Sequence, residues 1–364
     1  MKKIFQTKRL LFAGIAAAIF FTISSCQKDK SGIPEGEASS NPTGNLIRPD
    51  SASANTVLTL EGSGLGEMRT IVFDNNNVPA TFNPNFNTDK SLVFRVPDTA
   101  FGGPQNIIFT NSLGKQLIVP FRVIALPSVV SVSHYSFSAG EQITLTGNNL
   151  DNVSSVTFDV AGTAVTIVSK TRNTLVITMP ASTVISTKLK ITNASGTITT
   201  TQEFVNADQA FVFFRDTYHN GEGDASWGDA AVIKTDIKIS GAASLAKKFA
   251  KGNWHNLGFG WGWIPQGPYM NISFWIRGGL IDQEVWIFAN SDGGPGRDQA
   301  QPASNKIVVK AGVWQYFKIP LATLNLWASG TPANGNTINK LGWFLKGPDN
   351  DDETLYLDDV MFIK

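Results

Sequence analysis

Tryptophan is the residue type whose distribution most strongly indicates chemistry in this chain. The protein has 364 residues, and all nine tryptophans lie in the last 156 of them. An indole ring is flat, apolar and electron-rich, so it can stack on the apolar C–H face of a sugar ring. A group of exposed indoles would therefore bind a polysaccharide chain, and neighbouring polar side chains would fix its orientation.

The alternation of apolar and polar residues separates some of these side chains from the core. One predicted strand alternates apolar residues with Trp275 and Arg277, and a second alternates them with Trp286 and Asn290. Successive side chains of a strand point to opposite faces. All four residues are therefore predicted on the non-core face, on strands that we expect to be adjacent in one sheet.

A third segment, residues 252–263, alternates glycine with aromatic residues. Trp261 and Trp263 share one face of this strand, and the glycines leave the other face open to close approach. For each tryptophan, a position in the core remains the alternative. The candidate sugar-binding residues are Trp254, Trp261, Trp263, Trp275, Trp286, Arg277 and Asn290.

The remaining tryptophans are expected to be structural or are left undecided. Trp314 precedes an apolar Ile-Pro-Leu segment, and Trp343 lies between two leucines of the same face, so both are predicted in the core. Trp227 and Trp327 lie in turn-like sequences, and their role stays open.

The acidic residues permit two further interpretations. Asp358 and Asp359, with Glu353 nearby, could hold a structural Ca²⁺, which takes several oxygen ligands; a solvated acidic turn is the alternative. No other cofactor is predicted. Glycoside hydrolysis needs two carboxyl groups about 5–10 Å apart in a cleft, and no motif pairs the carboxylates of this region. A glycoside hydrolase and a protein-binding adhesin are kept as the alternatives to a non-catalytic sugar-binding protein.

The composition favours an all-β chain. Hydrophobic residues make up 42% and charged residues 16%, and there are 33 glycines, which is typical of turn-rich β-proteins. The formal net charge is +1, and the body of the chain has no basic block. Nucleic acid is therefore not an expected partner, because phosphate binding needs clustered lysines and arginines.

The N-terminus predicts secretion and lipid anchoring. Four basic residues precede an apolar stretch that is too short for the roughly 20 residues of a membrane-spanning helix, and Ser24 and Ser25 lead to Cys26, the only cysteine. Residues 1–25 are thus predicted to be a lipoprotein signal peptide and Cys26 the lipidated residue. Residues 26–45 are predicted to be a flexible tether. Gln27 resembles an outer-membrane rather than an inner-membrane sorting residue.

A tandem repeat occupies the middle of the chain. The sequence TLEGSGL at residues 59–65 matches TLTGNNL at residues 144–150, and three further blocks match in the same order. Each unit shows short alternating strands, so residues 46–125 and residues 126–207 are predicted to be immunoglobulin-like β-sandwiches. The repeated pattern resembles the IPT/TIG family. Such modules are expected to act as rigid spacers, with contact to a partner protein as the alternative.

Residues 208–364 are predicted to form a jelly-roll β-sandwich. The segments GAASL at residues 241–245 and LYLDDV at residues 355–360 resemble those of jelly-roll carbohydrate-binding modules. The order of lipidation site, IPT/TIG units and this module resembles the surface glycan-binding lipoproteins of Bacteroidota called surface glycan-binding protein B. The resemblance implies a non-catalytic protein that faces the cell exterior and captures xyloglucan or another β-glucan. It also implies two partners, an outer-membrane TonB-dependent transporter and its companion glycan-binding lipoprotein.

Overall fold

The computed structural model describes residues 37–289, 303–324, 326–329 and 337–364. The chain divides into two compact units between Ala125 and Leu126. Cys26 and the predicted signal peptide lie outside the described residues. Within the described ranges, no helix is both long and apolar enough to cross a membrane.

The first unit is a two-sheet β-sandwich that encloses its own apolar core. One sheet has the strand order β1-β3-β6, and the other has the order β2-β8-β7-β4-β5. The strands are β1 (Thr43–Arg48), β2 (Ser51–Ser53), β3 (Val57–Ser63), β4 (Met68–Phe73), β5 (Val78–Ala80), β6 (Ser91–Arg95), β7 (Gly103–Asn111) and β8 (Gln116–Ile124), with a 3₁₀ turn at Pro84–Phe86.

The second unit begins with another immunoglobulin-like sandwich. Its sheets have the strand orders β17-β16-β12-β13-β14-β11-β9 and β10-β18-β15. The strands are β9 (Ser128–Val132), β10 (Ser136–Phe137), β11 (Gln142–Asn148), β12 (Val153–Phe158), β13 (Ala164–Lys170), β14 (Thr174–Thr178), β15 (Ser186–Thr187), β16 (Leu189–Asn193), β17 (Gly196–Thr199) and β18 (Phe204–Asn206).

In both sandwiches, the repeated TLxG motif requires glycine at its fourth position because a neighbouring strand leaves no space for a side chain. A Cβ atom at Gly62 would lie 2.1 Å from the carbonyl oxygen of Thr43, and one at Gly147 would lie 1.8 Å from that of Ser128. Each glycine therefore lets the neighbouring strand pair closely at an irregular step of the ladder. The repeated glycine therefore serves the pairing of strands within each sandwich.

The C-terminal domain is a further β-sandwich, which confirms the all-β prediction. We call the sheet with the order β21-β24-β29-β26-β27 the front sheet, and the seven-stranded sheet built around β30 the back sheet. The elements are β19 (Ala210–Arg215), β20 (Thr217–Tyr218), β21 (Gly223–Asp224), β22 (Val232–Lys234), β23 (Ser244–Phe249), β24 (Trp254–Pro265), β25 (Asn271–Arg277), β26 (Gln283–Ala289), β27 (Lys306–Val309), β28 (Trp314–Pro320), α1 (Leu321–Leu324), β29 (Thr337–Lys346) and β30 (Glu353–Ile363).

Trp343 lies at the centre of this sandwich, as the leucines around it predict. It is fully buried and contacts Phe259 of the front sheet and Phe274 of the back sheet, both in edge-on geometry. The prediction that Trp314 is a core residue is wrong. Trp314 is half-buried and pairs directly with Arg277 on the outer face of the back sheet, whereas Phe317, three residues further on, packs against the core from the opposite face.

Candidate functional site

An aromatic cluster crosses three adjacent strands on the outer face of the front sheet. The ring of Phe344 on β29 lies between Trp254 on β24 and Trp286 on β26, with both ring-centroid distances at 5.7 Å. The two indole rings are 6.1 Å apart. Trp286 and Phe344 are directly paired across the ladder, so the register of β26 against β29 builds the cluster. We call Trp254, Phe344 and Trp286 the aromatic triad.

The triad has one buried member and two accessible ones. Phe344 is only 3% exposed, whereas the two indoles are half-buried. The ring of Phe288 supports Phe344 edge-on from the same face at 5.5 Å. The two tryptophans therefore offer flat apolar surface to a ligand, while the phenylalanines hold them in place.

Lysines border the aromatic surface. The ammonium group of Lys306 lies 5.7 Å from the centroid of the Trp286 ring and forms an ion pair with Glu284 at 2.8 Å. Lys340 is buried, and its ammonium lies 5.6 Å from the Phe288 ring. Lys306 can donate a hydrogen bond to a sugar hydroxyl beside a stacked ring, whereas Lys340 supports the aromatic surface from within.

Two glycines on the outer face of the front sheet make room for neighbouring side chains. A Cβ atom at Gly258 would lie 2.4 Å from the side chain of Lys340, and one at Gly342 would lie 2.5 Å from the Phe288 ring. The missing side chains leave room for the side chain of Lys340 and the ring of Phe288.

Of the seven predicted sugar-binding residues, Trp254 and Trp286 lie together in the aromatic triad. Three others lie outside the described part of the structure. Trp261 and Trp263 belong to β24, but their side chains lie outside the described part of the structure, and so does Asn290.

Trp275 and Arg277 lie on the opposite side of the sandwich. Both are on β25 of the back sheet, whose neighbours are β28 and β30, whereas Trp286 is on β26 of the front sheet. The expectation that these strands are adjacent is therefore wrong. The chain crosses from one sheet to the other between β25 and β26, so consecutive strands present their outer residues in opposite directions.

Trp275 is covered by the second immunoglobulin-like sandwich. Its ring lies 4.6 Å from that of Tyr135 and 5.2 Å from that of Tyr316. Further contacts join the same two domains: the amide of Tyr135 donates to Ser240 Oγ at 3.0 Å, and the amide of Gly241 donates to the carbonyl of Ser133 at 3.0 Å. Trp275 is thus part of an interdomain contact.

We expect Trp275→Ala to lower stability without changing sugar affinity. Removing the indole leaves Tyr135 without its packing partner, and we expect a loss of about 2 kcal/mol in the free energy of unfolding. Thermal unfolding and affinity electrophoresis on the same preparation would check this. Trp286→Ala is the matched control, since it removes a half-buried indole from the front sheet. A large loss of affinity in Trp275→Ala would contradict the assignment.

Asp359 takes part in the interdomain contact, Asp358 binds the adjoining loop of its own domain, and the two do not form a three-carboxylate metal group with Glu353. Asp358 accepts hydrogen bonds from the amides of Ile239 and Ser240, and Asp359 accepts one from Ser136 Oγ at 2.9 Å. Glu353 accepts bonds from the amides of Leu280 and Ile281 instead of joining them. Among the described residues, no group of three or more acidic, His or Cys side chains could hold a metal ion.

Arg215 links the two domains through the same serine. Its Nε donates to Ser136 Oγ at 2.8 Å, and its Nη2 donates to Glu141 at 2.5 Å. Burial, together with the neighbouring charge of Asp359, raises the pKa of Asp358 to about 8, and burial also raises that of Asp359. The pair therefore retains a proton at neutral pH, which reduces the repulsion between two adjacent carboxylates.

A buried carboxyl group lies beside β24. Glu222 is 7% exposed, and its carboxyl group lies against the backbone of Gly262, whose amide offsets only part of the effect of burial on the pKa. A Cβ atom at Gly262 would lie 2.2 Å from Glu222 Oε1, so the missing side chain makes room for this carboxyl. Burial raises the pKa of Glu222 to about 7.

The raised pKa of Glu222 predicts a pH-dependent stability. The unfolded chain releases this proton near the ordinary value of 4.5, whereas the folded chain holds it up to about 7, so stability falls as pH rises between these values. We expect Glu222→Gln to remove this fall and to be about 2 kcal/mol more stable than the parent at pH 8. Urea unfolding from pH 4 to 8 measures it, with Glu284→Gln as the exposed control. A parallel pH profile in the variant would contradict the prediction.

Two important residues were missed at the level of sequence. Phe344 could have been found, because the burial of Trp343 places its neighbour on the opposite face of β29. The role of Tyr135 could not have been found from the sequence, because no local pattern connects it with Trp275 on β25, which lies 140 residues further along the chain.

The fold defines a modular β-sandwich protein whose C-terminal domain has an aromatic cluster on one outer sheet face. The profile of the IPT/TIG domain family matches residues 127–205, so the second sandwich is an IPT/TIG domain, as the repeat predicted. No curated protein matches this chain.

Solved structures similar to this chain include two surface proteins. The chain is 19% identical to the surface glycan-binding protein PbSGBP-B from Prevotella bryantii, with a TM-score of 0.49 over 90% of this chain and 99% of that one. It is 18% identical to SGBP-B from a complex xyloglucan utilization locus in Bacteroides uniformis, with a TM-score of 0.38 over 89% of this chain and 99% of that one.

Part of this chain is also similar to a carbohydrate-binding module. The family 11 module from Clostridium thermocellum, in complex with a β-1,3-1,4-mixed-linked tetrasaccharide, is 15% identical, with a TM-score of 0.29 over 42% of this chain and 95% of that one.

Proposed function

We propose that the C-terminal domain binds a β-linked plant polysaccharide, xyloglucan or another β-glucan, on the outer face of its front sheet. The observation that carries the proposal is the aromatic triad, in which Phe344 holds two half-buried indoles side by side. Apolar sugar faces stack on such rings, and Lys306 lies beside Trp286, where its ammonium group can donate a hydrogen bond to a hydroxyl group.

The proposed binding is not coupled to catalysis. A glycosidase places two carboxyl groups about 5–10 Å apart around the scissile bond. On the described part of this face, Glu284 forms an ion pair with Lys306, and Glu222 is buried against Gly262. Neither carboxyl is arranged with a partner across the triad, which supports capture without cleavage.

The proposed setting is the outer surface of a bacterial cell. Lipidation at Cys26 would anchor the chain in the outer membrane, and the two immunoglobulin-like domains would carry the binding face away from it. The captured glycan would pass to a TonB-dependent transporter that works with a companion glycan-binding lipoprotein. The predicted signal peptide and the low apolar content of residues 27–42 support this placement, while β1 begins at Thr43, inside the segment predicted to be the tether.

Affinity electrophoresis tests the proposal directly. The chain from Gln27 onward would be run through gels that contain xyloglucan, mixed-linkage β-glucan, galactomannan, xylan or starch. Retardation by a β-glucan, without release of reducing ends in solution, supports the proposal. Release of reducing ends would favour a glycoside hydrolase. Retardation in none of the gels would contradict glycan capture and favour a protein-binding adhesin.

A further inference from the structure

A second group of aromatic and cationic side chains lies on the outer face of the back sheet. Arg277 on β25 is directly paired with Trp314 on β28 and with Tyr356 on β30, so the three side chains share one face. The guanidinium of Arg277 lies 5.6 Å from the centroid of the Tyr356 ring, in a cation–π contact. All three side chains are half-buried. We call them the back-sheet row.

The row lies next to the interdomain contact and not beneath it. Trp275, which packs against Tyr135, precedes Arg277 by two residues on β25. Two residues of a strand span about 7 Å. The IPT/TIG domain therefore covers the neighbouring part of the sheet and borders the row on one side.

The positive charge of Arg277 is not neutralised by a carboxylate among the described residues. Its Nε donates one hydrogen bond to the carbonyl oxygen of Gly312 at 3.2 Å. The described ion pairs of the C-terminal domain use the cations Arg215, Lys248, Lys306, Lys310, Lys318 and Lys346. A guanidinium has five N–H donors in a planar fork, so several remain for an anion.

We propose that the back-sheet row binds a uronic acid residue of an acidic polysaccharide. The sugar carboxylate would accept hydrogen bonds from Arg277, and the sugar rings would stack on Trp314 and Tyr356. These rings are on strands that flank β25, two strand spacings or about 10 Å apart, which is comparable to the length of a disaccharide. A flat ring on each side of a guanidinium that pairs with no carboxylate among the described residues suits an acidic sugar chain better than an acidic peptide, which offers no sugar-like ring faces.

This site is separate from the aromatic triad, since the two lie on opposite sheets of the sandwich. It extends the proposed function from neutral β-glucan to a carboxylate-bearing glycan. The inference does not depend on the triad. We expect the double variant Trp254→Ala/Trp286→Ala to keep the preference for the acidic sugar.

The test is a matched pair of ligands titrated calorimetrically into the chain from Gln27 onward. One is a glucuronate-substituted xylo-oligosaccharide, and the other is the same compound with its carboxyl group reduced to an alcohol. We expect the acid form to bind at least tenfold more tightly, and this preference to shrink as salt is added. Equal affinity for the two compounds would overturn the proposal, whatever the outcome with neutral β-glucans.

Variants connect the preference to the row. Arg277→Gln should remove the preference for the acid form, and Arg277→Lys should keep part of it, because lysine retains the charge but not the planar fork. An unchanged preference in a folded Arg277→Gln protein would overturn the assignment. Binding of a tetraglutamate peptide as tightly as the acidic oligosaccharide would overturn the choice of a sugar.

Discussion

Replacing Trp254 and Trp286 together by alanine is expected to abolish retention of the protein by its β-glucan. The two indoles are the accessible rings of the triad. Each substitution removes a stacking contact with the sugar, and alanine supplies no contact in its place. Residues that anchor a ligand in this way cost about 2 kcal/mol or more when truncated, which is a factor of about thirty in affinity. Each single variant should show about this loss, and the double variant should show no measurable retention.

Folding of these variants should be largely preserved, because both indoles are on the outer face of the front sheet. Thermal unfolding beside affinity electrophoresis separates loss of the surface from loss of the fold. Trp343→Ala provides the contrasting case. Its ring fills the centre of the sandwich, so we expect a loss of about 3–5 kcal/mol of stability. Full retention in the folded double variant would show that the glycan binds elsewhere.

The second large effect is expected for Arg215→Met at the interdomain contact. Arg215 is 16% exposed and joins Ser136 and Glu141 of the IPT/TIG domain to the C-terminal domain. Removing it leaves two carboxylates, those of Glu141 and Asp359, without their nearby cation. Breaking this partly buried pair is expected to cost about 3 kcal/mol, which corresponds to about 6–12 °C in the unfolding temperature of a domain pair of this size.

Lys318→Met is the matched control for Arg215→Met. Lys318 forms the other described ion pair across the same contact, with Glu203 at 3.7 Å, but both side chains are more than one-third exposed. Exposed pairs contribute about 0–1 kcal/mol, so the unfolding temperature should hardly change. An equal loss of unfolding free energy in the two variants would contradict the view that the partly buried Arg215 network stabilises the interdomain contact.

The interdomain contact changes the interpretation of the IPT/TIG domain. From its sequence it is a spacer, because its outward positions carry small polar residues. In the folded chain its Tyr135 covers Trp275, and its Ser136 bridges Arg215 and Asp359. The domain therefore stabilises the back sheet of the C-terminal domain, and the two are expected to unfold together.

The sequence by itself determined the local properties of this protein. Alternation identified the strands and placed Trp286 on an outer face and Trp343 in the core. The repeated TLxG motif identified the IPT/TIG domain, and the position of the tryptophans marked the C-terminal part as a domain of different composition. These properties follow from short-range periodicity, which can be read from neighbouring residues of the sequence.

Only the tertiary structure decided which side chains meet. Alternation states whether a residue faces inward or outward, but it does not state to which sheet its strand belongs. Strand pairing is set by contacts between residues far apart in the chain. For that reason Trp275 was grouped with Trp286, whereas β25 joins the back sheet and β26 joins the front sheet. The same long-range pairing set Phe344 between two indoles and turned Asp358 and Asp359 from a candidate calcium site into an interdomain hydrogen-bond network.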